Sequence, residues 1–441
     1  MDISRRNFIK NITVAGIALN TLPVINVLAQ KSAGKRFKVA LIGCGGRGKG
    51  ALKDCIEAAK SIGAEIELVA VADFFRSRAQ EVAKSHGVPD ERCFDGATGY
   101  QKAIATAAEI VITTAPPSFR PVHVAAAIQA GKHVFMEKPV AVDPPGARSI
   151  IATGEVAKKK GLALVAGTQR RSDSNYRRTQ YAVANGAIGD IVGGNIMWCG
   201  GSLWHKTRDA GEADASYMVR NWTSFAEMSG DHIVEQHVHN IDIANWFIGR
   251  PPVSAIGFGG RAQRVTGDQF DFFSVDLDYG KGCHIHSMCR QVDGTYGRVG
   301  EFFIGTNGQT SGNGGLKAGK NVTTPEFAGH SNPYVQEHID LLQGILKSQP
   351  RNDARPVAEA TMVAIMARIS TYTGQLVRWV DVMENKDSNW YNFTMNPSAG
   401  DFEKGTVVAP EDDVIPVPGQ EKKEHAKNRS NARRGDNTRN K

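Results

Sequence analysis

The sequence predicts an α/β chain in two parts: an N-terminal doubly wound parallel sheet, then an α+β domain with a large, mostly antiparallel sheet. Three observations carry this reading. Short apolar runs alternate with helix-like segments between residues 37 and 168. The glycine pattern Gly43-Cys44-Gly45-Gly46-Arg47-Gly48 falls between the first run and the first helix. After Gly167 the pattern changes to longer stretches of alternating polarity.

The elements follow in order. Phe37 to Ile42 is apolar, partly β-branched and ends at glycine, so it reads as a buried strand. A helix runs from about Arg47 to Ser61, and Glu65 to Ala72 is a second strand ending at Asp73. Arg76 to Ser85 is helical, Glu109 to Thr114 a strand and Pro121 to Ala130 a helix. His133 to Met136 and Leu162 to Ala166 complete a βαβ series over 37–168, which demands a parallel sheet. Strands are expected next at Ile191 to Trp198, Val253 to Phe258, Phe272 to Tyr279, Cys283 to Cys289 and Gly297 to Ile304. Helices are expected at Tyr176 to Asn185, His237 to Phe247, Tyr334 to Leu346 and Val357 to Leu376, the late ones able to pack back on the first domain. Glycine-rich Gly305 to Gly319 reads as a loop.

At 441 residues, with 41% hydrophobic and 22% charged residues, the chain supports two cored domains. Its net charge of +8 sits at the ends: residues 1–36 carry six Lys or Arg against one Asp, and 417–441 eight against three acids. The near-neutral centre does not suggest a nucleic-acid partner. Ser4-Arg5-Arg6-Asn7-Phe8-Ile9-Lys10, the apolar stretch Ile12 to Leu28 and Val27-Leu28-Ala29 read as a twin-arginine signal over 1–29. The expectation is export of a folded protein to the periplasm, with no membrane span after cleavage. A short arm (30–36), the nucleotide domain (37–168), a substrate and oligomerisation domain (169–385), an extension (386–416) and a basic tail expected to be disordered (417–441) follow. The six cysteines, with no CxxC pair, read as small core residues, with a Cys283–Cys289 bridge as the alternative.

GxGxxG alone is a weak signal. Here it follows a buried strand and opens a helix, the context dinucleotide binding needs. Gly43 allows the tight turn, Gly45 and Gly46 let backbone approach a pyrophosphate, and Gly48 lets helix and strand close. Asp73 can accept hydrogen bonds from ribose hydroxyls and repels a 2′-phosphate, favouring NAD over NADP, although nearby Arg76 weakens the preference.

Two clusters suggest chemistry. His133-Val134-Phe135-Met136-Glu137-Lys138-Pro139 puts Lys138 at the carboxyl edge of the sheet, where it can stabilise a developing alkoxide. Asp231 to Asp242, if helical, sets Glu235, His239 and Asp242 on one face, and a carboxylate beside His239 can orient its ring and raise its basicity. Glu235, His237 and His239 also resemble a metal set, but residues two apart on a helix diverge, and no metal is expected.

Together these motifs resemble the glucose–fructose oxidoreductase and inositol dehydrogenase family, Gfo/Idh/MocA, over most of residues 37–380. The carrying residues are Gly43 to Gly48, Thr114-Ala115-Pro116-Pro117 with His123, Gly131-Lys132-His133-Val134 and Glu137-Lys138-Pro139. The family's Asp-x-Gly-x-His appears as Glu235-Gln236-His237-Val238-His239, with the acid lengthened and the glycine replaced. The resemblance implies Lys138 and His239 as catalytic residues and Arg47, Thr114, Pro116, His123 and Glu137 around the cofactor.

Gly167-Thr168-Gln169-Arg170-Arg171, the signal and Asn332 to His338 look like the branch with NAD-dependent glycosidases and periplasmic sugar dehydrogenases. Arg170, Arg171, Tyr176, Trp204, Arg220, Trp222 and Asp242 are candidate sugar contacts. The expectation is an exported oxidoreductase with tightly bound, internally recycled NAD, oxidising a sugar or glycoside ring hydroxyl, commonly at C3. The alternatives are an NAD-dependent glycosidase using transient C3 oxidation, with Tyr176 or His237 as base, and a non-catalytic binding protein. Phe273, Val275 and Leu277 share one strand face, and a homo-oligomer, dimer or tetramer, built sheet to sheet is expected.

Overall fold

A computed structural model describes residues 34–412, 414 and 417–419. The twin-arginine segment and nearly all of the basic tail lie outside the described residues.

The nucleotide domain comprises β1 (Arg36–Ile42), α1 (Gly46–Ser61), β2 (Glu65–Asp73), α2 (Arg76–His86), β3 (Cys93–Asp95), α3 (Gly99–Ile104), β4 (Ile110–Thr113), α4 (Arg120–Gln129), β5 (His133–Met136), α5 (Pro144–Lys159) and β6 (Leu164–Ala166). The strands form one sheet in the order β3-β2-β1-β4-β5-β6, parallel at every pair. Chain order reverses between β1 and β4, so the cleft above their carboxyl ends is the natural ligand site. The sequence pattern does not announce β3, α3 and α5. Pro144, Pro145 and two glycines obscured α5, yet prolines suit a first turn, and Asp143 caps it by accepting from the Gly146 N–H at 2.8 Å. Gly154 has a packing reason: a Cβ there would lie 2.4 Å from Cβ of Ala354.

The second domain contains α6 (Ser174–Ala184), β7 (Ile191–Gly200), α7 (Asp214–Arg220), α8 (Ala226–Ser229), α9 (His232–Glu235), α10 (Val238–Ile248), β8 (Ser254–Gly260), β9 (Phe272–Asp278), β10 (His284–Gln291), β11 (Arg298–Gly305), β12 (Gly308–Thr310), β13 (Lys317–Ala318), α11 (Pro333–Leu346), α12 (Ala354–Thr373), β14 (Val377–Arg378), α13 (Trp379–Met383) and α14 (Ala399–Lys404). Its eight-stranded sheet runs β13-β12-β11-β7-β10-β9-β8-β14, antiparallel except for the central β7–β10 pair. The expected loop at 305–319 instead carries β12 and β13, which extend the β11 edge. Phe273, Val275 and Leu277 face the helices and are buried, leaving Phe272, Ser274 and Asp276 on the open face. All six cysteines are free, so the Cys283–Cys289 alternative falls.

α11 and α12 do pack back. Val335, Ile339, Leu341 and Leu342 enter the nucleotide-domain core beside Leu41, Leu52 and Ile112. α12 begins in the first domain's core through Ala354, Val357 and Ala358, then continues into the second through Met362 to Ile369. No helix among the described residues is long and apolar enough to cross a membrane.

Candidate active site

The glycine loop has the shape its sequence requires. Gly43 takes φ +92°, and a Cβ there would come within 2.6 Å of the Ala115 nitrogen. At Gly48 a Cβ would sit 1.9 Å from the Gly43 carbonyl oxygen, so only glycine lets α1 start this close to β1. Gly45 and Gly46 face open space, and α1 has neither a side-chain cap nor an acid in its first turn. Uncapped N–H groups and the positive helix end therefore face a cleft with room for phosphates. That cleft is lined by Gly43, Gly45, Asp73, Thr114, Pro116 and His123 together with Phe74, Arg78, Tyr100 and Phe119 from the same domain, and Val219 and Trp222 from the other. These residues fit a dinucleotide.

Asp73 ends β2 with its carboxylate accepting from the Cys44 N–H at 2.7 Å and the Phe75 N–H at 2.9 Å. Burial pushes its carboxyl up from the ordinary range. Arg76 points elsewhere: it pairs with Asp90 at 2.7 Å and Asp95 at 3.3 Å. Arg78, not Arg76, is the arginine lining the cleft, and it lies 4.5 Å from the Phe75 ring. Thr114 donates to the Gly43 carbonyl at 2.8 Å and so braces the turn. His123 is buried between Tyr100 and Phe119, and burial, reinforced by Arg120, pushes its pKa down to about 3. It is a neutral packing ring at the cleft wall.

Arg47 and Glu137 join the glycine loop to the turn that carries Lys138. Arg47 Nε donates to Glu137, and its guanidinium lies 5.1 Å from the Tyr334 ring. Glu137 in turn accepts from the Lys138 N–H at 3.1 Å. A Cβ at Gly167 would lie 2.7 Å from this carboxylate, which explains the glycine after β6.

Lys138 meets the second domain directly. Its ammonium donates to the Glu235 carbonyl at 2.6 Å and to the Glu235 carboxylate at 3.1 Å. This corrects the expected single helix. The backbone breaks after Glu235, because α9 ends there and α10 starts at Val238. Glu235 therefore turns to Lys138, and no hydrogen bond among the described residues joins it to His239. His239 stacks beside Trp198, ring centres 5.8 Å apart. Burial, then the charges of Lys138, Arg170 and Arg47, push its pKa well below the ordinary histidine value. The imidazole is neutral and held near cations, not a ring made more basic by an acid.

The residue that replaces the family glycine, His237, is fully buried with Nε2 2.8 Å from the Ser287 hydroxyl. Its ring is held at Ser287 of β10. Among the described residues no group of three or more His, Cys, Asp or Glu could hold a metal.

The sugar candidates divide. Arg170 pairs with Glu301 and lies 5.6 Å from the Trp198 ring, next to His239. Tyr176 is buried and donates to Glu301 at 3.0 Å, and burial pushes its phenol up, so neither it nor His237 stands free as a base. Arg171 and Asp242 satisfy each other through two bonds of 2.7 and 2.8 Å. Arg220 secures the loop before α7 through Asp209 and Glu212, Trp222 lines the cofactor cleft, and Trp204 is half exposed. Trp198 was read only as a strand residue. Its alternation placed it in β7 but could not show that its ring meets His239 and Arg170.

A dinucleotide-fold domain whose Lys138 reaches a histidine-bearing second domain defines a two-domain oxidoreductase architecture. The chain belongs to the Gfo/Idh/MocA family: it matches the oxidoreductase family, NAD-binding Rossmann fold model over residues 37–168 and the GFO/IDH/MocA C-terminal domain model over 176–310. It is 29% identical over 177 residues to scyllo-inositol 2-dehydrogenase (NADP(+)) IolW of Bacillus subtilis, covering 40% of this chain and 44% of that one. It is 28% identical over 243 residues to an inositol 2-dehydrogenase of Rhizobium meliloti, covering 54% and 64%. The chain thus spans about half the length of the curated relatives it matches. Its fold resembles the WlbA dehydrogenase of Bordetella pertussis, solved with NADH and UDP-GlcNAcA, at TM-score 0.60 and 19% identity over 78% of this chain and 99% of that one.

Proposed function

We propose that this chain is an exported, NAD-dependent oxidoreductase acting on a ring hydroxyl of a sugar or glycoside, commonly C3, with tightly held and internally recycled cofactor. The observation that carries the reading is Lys138 anchored on Glu235 beside neutral His239, in a turn whose Glu137 is bonded to Arg47 of the glycine loop. Relatives named for inositol oxidation support the polyol or sugar class. Gly43, Gly45, Gly46, Gly48 and Asp73 would hold the dinucleotide, which supplies the hydride acceptor when bound.

The chain's own groups supply the rest. His239 accepts the hydroxyl proton, which its neutral state permits. Lys138 donates to the same oxygen as charge develops on it, and Glu235 keeps the ammonium aimed. Arg170 and the Trp198 face border that position and suit a polar ring with an apolar side. Asp73 supports NAD, whereas Arg78 gives a 2′-phosphate a partner, so the preference is for NAD with NADP tolerated.

The test is a panel of sugars and glycosides incubated with NAD-loaded protein. Reduction by at least one sugar, lost in Lys138→Ala with circular dichroism unchanged, is expected. Full activity in that variant sinks the assignment. Release of aglycone from an aryl glycoside with no net redox change would favour the glycosidase alternative. Export is read by fractionation, as protein in the periplasm that disappears when Arg5 and Arg6 are replaced by Lys.

We also propose a homo-oligomer. The sheet face opposite the helices carries exposed Phe258 and Phe272 among His284 and His286. A mixed apolar and polar sheet face of this kind suits a second copy. Light scattering giving the mass of one chain at micromolar concentration would refute it.

A further inference from the structure

The segment after α13 crosses from one domain to the other and back. Trp390 and Phe393 pack on the second domain's core, while Arg148 of α5 donates to the Tyr391 carbonyl at 2.7 Å and lies 3.6 Å from its ring. The chain then reaches α14, where Phe402 is buried at 5% exposure. Its ring lies 5.0 Å from Phe119 and 6.3 Å from Phe74, both nucleotide-domain residues of the cleft wall. The same apolar cluster takes in Val219 and Trp222, which line that cleft from the other domain. Polar links continue the path. Tyr100 donates to Glu403 at 3.3 Å, the Ala409 N–H donates to Asp214 at 3.0 Å, and Asp412 accepts from Tyr217 at 2.9 Å and from the Gly267 N–H at 2.6 Å.

We infer that residues 386–412 are a fastener for the nicotinamide dinucleotide, with Phe402 and Glu403 as positioning residues that hold the two walls of the cleft together. The inference rests on the proposal that this cleft holds such a cofactor. A ligand lying between Phe74, Phe119 and Tyr100 on one side and Val219 and Trp222 on the other leaves freely only when the walls part. Parting them exposes Phe402 and breaks links the extension makes to each domain. The extension touches the walls and not the reacting atoms, so its effect belongs to cofactor release rather than to the chemical step.

The experiment is an exchange measurement on the full chain loaded with NADH. Bound-NADH fluorescence is followed after addition of excess NAD for wild type, Phe402→Ala and the double variant Glu403→Ala/Asp412→Ala. The expected result is release at least tenfold faster in Phe402→Ala and severalfold faster in the double variant, with circular dichroism unchanged. Wild-type release rates in the folded variants would overturn the fastener while leaving the cofactor site intact. If Phe402→Ala does not fold, the double variant decides alone by the same criterion. If wild type binds neither NADH nor NAD, the cofactor reading falls and the fastener falls with it.

Discussion

The ammonium of Lys138 is held twice by one residue of the other domain, at 2.6 Å from the Glu235 carbonyl and 3.1 Å from its carboxylate. The acid expected to serve His239 serves the lysine instead. Lysine and imidazole are left as neighbours, and the fixed charge of the first helps keep the second neutral. An ammonium donor thus stands beside a neutral imidazole.

Glu235→Gln keeps the carbonyl contact and removes the charge pair. Turnover with a sugar substrate should fall by about 10–100-fold, or about 1.4–2.7 kcal/mol of barrier, with little change in melting temperature. Steady-state kinetics check it, and wild-type kcat would show that Glu235 does not aim the lysine.

Gly45→Ala and Gly48→Ala should separate binding from folding. A methyl at Gly45 meets no protein atom within 4 Å, so stability should hold while NAD affinity falls. A methyl at Gly48 strikes the Gly43 carbonyl, so both should fall, stability by about 1–3 kcal/mol. Thermal melts and NAD titration read the two effects.

Burial pushes the His123 pKa down to about 3, whereas an unfolded histidine titrates near 6.5. The unfolded state therefore binds the extra proton as pH drops below 6.5, and this residue costs stability on the acid side down to about pH 3. Between pH 7 and pH 5 its share is about 2 kcal/mol. In His123→Phe the loss of stability over that interval should shrink by about this amount. Denaturant titrations at the two pH values check it, and an unchanged interval would mean that His123 is not neutralised by folding.

Arg171→Ala leaves the nearly buried Asp242 carboxylate without its two donors. A loss of about 3 kcal/mol is expected, and the additional change Asp242→Ala should recover part of it. Weakened sugar binding at unchanged stability would instead return Arg171 to the substrate site.

The parallel sheet and the glycine loop were legible because each βαβ unit carries its own local signature: a buried run, a turn glycine and an amphipathic helix. Lys138 and His239 were legible as residue types in place. Their relation was not, because it depends on a break after Glu235 that no Pro or Gly announces. Gln236 and His237 could both continue a helix. The burial of His237 against Ser287, fifty positions away, belongs to the tertiary fold. Arg76 and Arg78 show the same limit: either could turn to the cleft, and the acids Asp90 and Asp95 drew the first one off. Trp198 and Phe402 looked like ordinary apolar residues until strands and extension met around the cleft.

α12 draws its first turns from one core and its later turns from the other, and α11 completes the core that β1 began nearly three hundred residues earlier. During synthesis the glycine loop therefore leaves the ribosome long before the helices that close its domain. An N-terminal fragment ending at residue 168 would present the bare seat of Val335, Leu341 and Leu342 to water. A cut between the two domains therefore leaves the first half without the helices that finish its core.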